Sequence, residues 1–598
     1  MDLDIDATDV RRGVFRVTQT IPLAPGTRSV TLLYPQWHPG KHAPRGAISE
    51  LVALKITADG KPVDWRRDWR DVNAFHVAVP EGTRALVARF INTTPVRREE
   101  GRIVTTPDML NLQWEKASLY PAGHYVRRIA VRPAVTLPEG WSAATSLDGG
   151  RTSGNRVAWA ETDYETLVDS PVFAGRWFRR WDLGNSLTLN VVADEQGQLD
   201  ARPETLAAMT ALGAEARALF GRAPYERYEF LVALSDRLGD IGLEHLRSTE
   251  IALSPRAFLD WQGTDWDHGV LAHELVHAWN GKYRRPEGLW TPDYRQPMRD
   301  DLLWVYEGQT QFWGWVLAAR SGVQRKETVL GMIASAAGNY SELPGRDWRS
   351  VADTTLDPII AARRPKPFAS LARGEDYYSE GALVWLEADQ VIRAGTRGAK
   401  GLDDFARAFF AWKGEPERLS TYRLDDVVAA LNAVHPHDWR AFLTDRVESH
   451  GRPAPLAGIE KAGYRLVWRS EPNPYDRARM AAGGTLSLNH SLGLTLSREG
   501  AVTSVRWGSA AFDAGVVNGA RVVAVNGTAY NAGRMNAAVA ATAGGERTIE
   551  LLVRRGDTFQ TLPVTYAGGL RYPWLEPIGK GAAGLDRLLA PRRSRRGQ

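Results

Sequence analysis

Two histidines four residues apart with a glutamate between them, His273-Glu274-Leu275-Val276-His277, are the residues of this chain whose types and spacing best suit chemistry. In an α-helix, positions four apart lie about 40° from one another on one face, so both imidazoles reach a single cation. Glu274 stands beside them, placed to act on a water rather than on the ion. The residues before and within the motif suit a helix, and Asn280-Gly281 is a stop signal. A catalytic zinc takes three protein ligands and leaves a fourth position open. The chain has no cysteine, so its donors must be His, Asp or Glu. Glu307 follows in Asp300–Trp313, where an acidic start and apolar spacing predict a second helix. The expectation is one Zn2+ per chain on His273, His277 and Glu307, with Glu274 as general base of a hydrolysis.

These elements sit inside a long chain. At 598 residues it exceeds one core and predicts several domains. From about residue 12 to 175 short alternating segments such as Val14–Thr18, Ser29–Tyr34 and Ala85–Phe90 are broken by turn residues, which predicts an all-β domain, a sandwich. Near Pro203 the texture becomes Ala/Leu-rich and helical to about 450, interrupted by a strand at Phe230–Leu234. Short strands return from about 455, for example Ala501–Val505 and Thr548–Val553, as a small β/α module. The fold class expected is multidomain α+β, with domains at 1–175, 176–452 and 455–572 and a basic tail at 573–598. No apolar run approaches membrane-spanning length. The net charge of +5 is spread along the chain outside the tail Arg592–Arg596, and no nucleic-acid-binding motif accompanies it. The acidic start Met1–Asp6 lacks the pattern of an export signal.

The stretches His273–Asn280 with Arg285-Pro286, Leu303–Gly308, Gly242-Leu243-Glu244-His245, Tyr377–Gly381 and Tyr34–Gly40 together resemble the glycyl aminopeptidase family of gluzincin metallopeptidases. Lys41-His42 departs from that pattern, where Ser-Tyr is usual, and so does Val276. The resemblance implies a thermolysin-like catalytic domain at 176–452. It implies that Glu244, with Gly242 and Leu243 beside it, binds the substrate's free amino terminus, the alternative being a surface helix-cap carboxylate. It implies that Tyr378 donates to the oxyanion, with Tyr377 as its rival. It also implies a periplasmic or secreted mature chain, with a cytoplasmic home as the alternative. The C-terminal module resembles a PDZ domain, with Leu492-Gly493-Leu494 as its carboxylate-binding loop and a C-terminal peptide as ligand, or else a packing module of that shape. The activity expected is release of small N-terminal residues such as Gly or Ala from peptides with a free amino terminus. The rival readings are a zinc endopeptidase and a non-catalytic peptide binder.

Overall fold

The computed structural model describes residues 1–414 and 419–592, so the arginines from Arg593 onward in the expected basic tail lie outside the described residues. The chain forms two compact units. One comprises Met1–Trp261, His273–Asp300 and Phe410–Arg423, the other Gln262–Ala272, Asp301–Phe409 and Leu424–Gln598. Among the described residues no helix is long and apolar enough to cross a membrane.

The first unit opens with the β-rich domain. In Asp2–Asp9 the strict alternation of aspartate with Leu3, Ile5 and Ala7 buries one face completely and leaves the acids outside, two of them paired with Arg132 and Arg156. This strand joins Val14–Pro22 and Ala85–Thr93 in a nine-stranded sheet. A four-stranded sheet containing Ser29–Leu33 and Ala74–Ala78 shares one core with it, in which Ile5 and Val17 meet Leu33 and Phe75. Two sheets on a common core are the sandwich that the alternation predicts.

Next in the same unit is a five-stranded sheet in the order Trp177–Gly184, Leu187–Ala193, Tyr228–Leu234, Ser248–Leu253 and Gly242–Glu244. Its three central strands are parallel, and Tyr228–Leu234 is buried at every position, as a strand covered on both faces must be. Its last two strands carry Thr249-Glu250 and Gly242, residues without an apolar pattern, and their pairing only becomes visible in three dimensions.

The second unit is led by helices. Leu303–Ser321 starts three residues after the acidic stretch at Asp300 and is buried on nearly every side. Ser379–Gly395 crosses it, and Lys326–Ser341 lies alongside. The C-terminal module has its own core. Ordered structure runs past residue 572, where the module was expected to end. Tyr572–Pro577 pairs with Tyr464–Arg469, and helix Gly584–Leu589 buries Leu585, Leu588 and Leu589.

The expected carboxylate-binding loop, Leu492-Gly493-Leu494, leads from strand Thr485–Leu488 into strand Leu494–Ser497. Leu492 and Leu494 point into its core, and the Gly493 N–H donates to Leu488 O at 2.9 Å. Strand Leu494–Ser497 is the middle of three, paired along its length with Thr485–Leu488 and on its other side with Val502–Val505. A peptide cannot add to a strand whose two edges are both occupied.

Candidate active site

Helix Gly269–His277 ends on the second histidine, and the residues after it explain why. Trp279 stacks on Phe220 with ring centroids 5.1 Å apart, and its indole N–H donates to Arg222 O at 3.2 Å, which pins the helix end to the helix Pro203–Phe220. The Asn280 carbonyl accepts from His277 Nδ1 at 2.9 Å, while its side-chain oxygen accepts from the Tyr422 hydroxyl at 3.2 Å. A carbonyl can only accept, so Nδ1 carries the ring proton and Nε2 presents its lone pair. That Nε2 lies 3.1 Å from Nε2 of His273. Two ring nitrogens brought this close from one helix face can share a single cation. Nitrogens at about 2.0–2.1 Å from a tetrahedral zinc stand roughly 3.3 Å apart, and the two rings fit that ion.

Glu274, the next residue on the helix, is buried, and its backbone carbonyl accepts from the Tyr228 hydroxyl at 3.3 Å. Ligand atoms of Glu274, Glu244 and His277 lie within 4.8 Å of one another. Glu244 is not a surface cap. It closes the edge strand Gly242–Glu244 and is 3% exposed. Leu243 on that strand points into the core, and Gly242 is exposed at the sheet edge. Gly40, from the segment Trp37–Gly40, has φ +94, and a Cβ built on it would stand 2.9 Å from both Glu244 carboxylate oxygens. Only glycine lets the backbone meet that carboxylate. His42 is buried nearby, with a ring nitrogen within 4.8 Å of a Glu244 oxygen.

A buried charge network holds the turn that follows Glu244. His245 lies between Asp169 at 3.1 Å and Glu250 at 3.0 Å. Asp169 also accepts from Leu246 N at 2.8 Å and pairs with Lys282 at 2.6 Å. Burial alone would discharge His245, but the two carboxylates more than offset it and raise its pKa to about 9. Lys282 N–H donates to His277 O at 2.9 Å, so Asp169 ties the turn after Glu244 to the turn after the histidine helix.

The second unit carries Glu307 and Tyr378. Glu307 is 2% exposed on Leu303–Ser321, and Tyr378 immediately precedes Ser379–Gly395. Where these helices cross, a Cβ on Gly308 would meet Tyr377 O at 2.7 Å, and one on Gly381 would meet Gly308 Cα at 3.0 Å. The crossing is therefore backbone against backbone, fastened by Trp385 donating to Trp304 O at 3.0 Å. Burial, reinforced by the Glu307 carboxylate, holds the Tyr378 phenol well above its ordinary pKa, so it is a neutral O–H donor. Tyr377 is fully buried and donates to Glu375 at 3.4 Å. Arg363 pairs with Glu375 at 3.3 Å. Burial works against its charge, but Tyr378, Glu375 and Glu307 outweigh that and raise its pKa.

Asn280, Tyr228, Gly40, His42 and Arg363 were not assigned roles from sequence. Asn280 had a local signal, an amide residue directly after a helix. The others act across distances in the chain that leave no pattern.

A family model described as M61 glycyl aminopeptidase matches residues 266–384, and one described as the peptidase M61 N-terminal domain matches residues 2–176. Among solved structures, an aminopeptidase N family protein from Idiomarina loihiensis is similar over 99% of this chain and 100% of its own, at 18% identity and a TM-score of 0.81. An M1 zinc metallopeptidase from Deinococcus radiodurans is similar over 76% of this chain and 94% of its own, at 16% identity and a TM-score of 0.43. At such identities the first likeness is one of fold. Among curated proteins none matches.

Proposed function

Since the chain belongs to the M61 glycyl aminopeptidase family of metallopeptidases, we propose that it is a zinc-dependent aminopeptidase releasing small N-terminal residues such as Gly or Ala. The observation that carries the reading is the convergence of the His273 and His277 Nε2 atoms at 3.1 Å, with Glu274 and Glu244 around His277. His273 and His277 hold the metal, and Glu307 is its third ligand. Support for Glu307 comes from its place in the next α-helix after the motif and from the burial of its side chain. When bound, zinc supplies Lewis-acid polarisation of the scissile carbonyl and lowers the pKa of a water.

The remaining steps belong to the chain's own residues. Glu274 takes a proton from the attacking water and delivers it to the departing amine. Tyr378, neutral at working pH, donates its O–H to the oxygen on which negative charge develops. Glu244 accepts the substrate's α-ammonium, a charge-assisted contact in a buried place. Gly40 packs against both of its carboxylate oxygens, which restricts where the carboxylate can move. The exposed sheet edge at Gly242, next to the buried Leu243, offers backbone groups to the substrate's first residues.

Glu274→Gln is expected to retain zinc and lose turnover by at least about a hundredfold, measured with an alanyl anilide and by metal analysis of the same sample. Normal turnover in that variant would sink the mechanism. Equal cleavage of a free and an N-acetylated peptide by the unaltered chain would make it an endopeptidase instead.

A further inference from the structure

The second unit contains a cleft that the reaction as described does not use. Its volume is about 630 Å3, within the ~300–1,000 Å3 of ligand pockets. One side of it is continuous with proposed catalytic elements. Gln311 lies one turn beyond Glu307 on the same helix, and Ser379 directly follows Tyr378. The other side belongs to the C-terminal module and its leading helix, through Asn489, Arg571 and Arg479, the last on helix Pro474–Gly483.

Charge bookkeeping singles out one residue on this lining. Arg373 is paired with Asp376 and Glu380, and Arg571 with Glu342 at 3.1 Å. Arg479 makes no ion pair among the described residues, and its guanidinium rests 5.7 Å from the ring centre of Tyr475. The lining also holds two carboxylates, Asp376, which is paired with Arg373, and Asp476, whose charge burial disfavours although Arg479 nearby favours it. An arginine with no ion pair, set among amides and hydroxyls that donate and accept, suits a ligand with a peptide backbone and an anionic end.

We propose that this cleft receives the part of a peptide downstream of the scissile bond and that Arg479 holds the substrate's C-terminal carboxylate. The proposal rests on the aminopeptidase reading above. Gln311 and Ser379 stand where that segment leaves Tyr378, and the guanidinium offers two parallel N–H donors to the carboxylate at the far end. The C-terminal module thus recognises a chain end from the wall of a cleft, not by adding a peptide strand to its sheet. The substrates favoured are short free peptides whose length spans from Tyr378 to Arg479.

The test uses the full zinc-loaded chain with an alanyl anilide, which has no carboxylate, and alanine-initiated tri- to hexapeptides as free acids and as C-terminal amides. Each kcat/KM is referred to that of the anilide with the same variant. For at least one length the free acid is expected to exceed the amide roughly tenfold, and Arg479→Ala to bring the two within about twofold, with Arg479→Lys in between. Equal cleavage of acid and amide at every length overturns the proposal. So does a preference that survives Arg479→Ala. Absence of turnover on the anilide and on every peptide overturns the aminopeptidase reading itself, and is distinguishable because it precedes any acid-to-amide comparison.

Discussion

At the residue scale, Gly40 separates recognition of the substrate from chemistry on it. Its backbone touches the Glu244 carboxylate with no space for a methyl group, at a φ of +94 that side chains avoid. Gly40→Ala must push that carboxylate out of place while leaving His273, His277 and Glu274 in their helix. The expected outcome is a loss of about tenfold or more in kcat/KM on a free-amine peptide, carried mainly by KM, with zinc content unchanged. A value within twofold of the parent chain would remove Glu244 from amine binding. The two histidines were legible because helical spacing is a local property of the chain. Glu244 was reachable only through resemblance, because one carboxylate on a three-residue strand carries no period of its own.

At the scale of elements, the turn after Glu244 and the turn after the histidine helix are joined through Asp169. This joint is pH-dependent in a calculable direction. His245 has a folded pKa of about 9 against 6.5 for the free side chain. A raised pKa stabilises fully below 6.5, and that stabilisation is lost as pH climbs from 6.5 through about 9. The difference corresponds to ~3 kcal/mol. Asp169 and Glu250 are held below their ordinary values, against the pull of burial, by Lys282 and His245 for the first and by His245 and Arg102 for the second. Their contribution fades in acid instead. Thermal unfolding is expected to occur at lower temperature at pH 9.5 than at pH 6.5, with His245→Asn flattening that difference. An unaltered slope in the variant would show that His245 is not the titrating group. The helices of the second unit teach a related lesson about legibility. Leu303–Ser321 was foreseen from its start, but it is buried almost all round, so its sequence has no polar face to announce which neighbour it meets. Gly308 and Gly381 become meaningful only once the helices cross.

For the molecule as a whole, a metal that binds only the folded chain must stabilise it. Zinc at a hundred times its dissociation constant adds about 2.7 kcal/mol. Removing zinc with a chelator is expected to abolish peptidase activity and lower the Tm by a few degrees, and added zinc should restore both. The same treatment should leave the Tm of His277→Ala unchanged. A chelator-induced shift in that variant equal to the parent's would place the stabilising ion elsewhere. The order of β-rich, helical and β/α portions was readable from the sequence, because hydrophobic period and turn chemistry are written locally. So was the pair His273 and His277 with Glu274 between them, since four residues of helix determine that geometry alone. The inward course of Leu492-Gly493-Leu494 was not readable, because a loop motif does not say which strand will occupy the edge beside it. The same holds for Gly40 against Glu244 and for Asp169 beneath His245. In each case the partners are far apart in the chain, and only tertiary packing, which sets burial and charge pairing, decides that they meet.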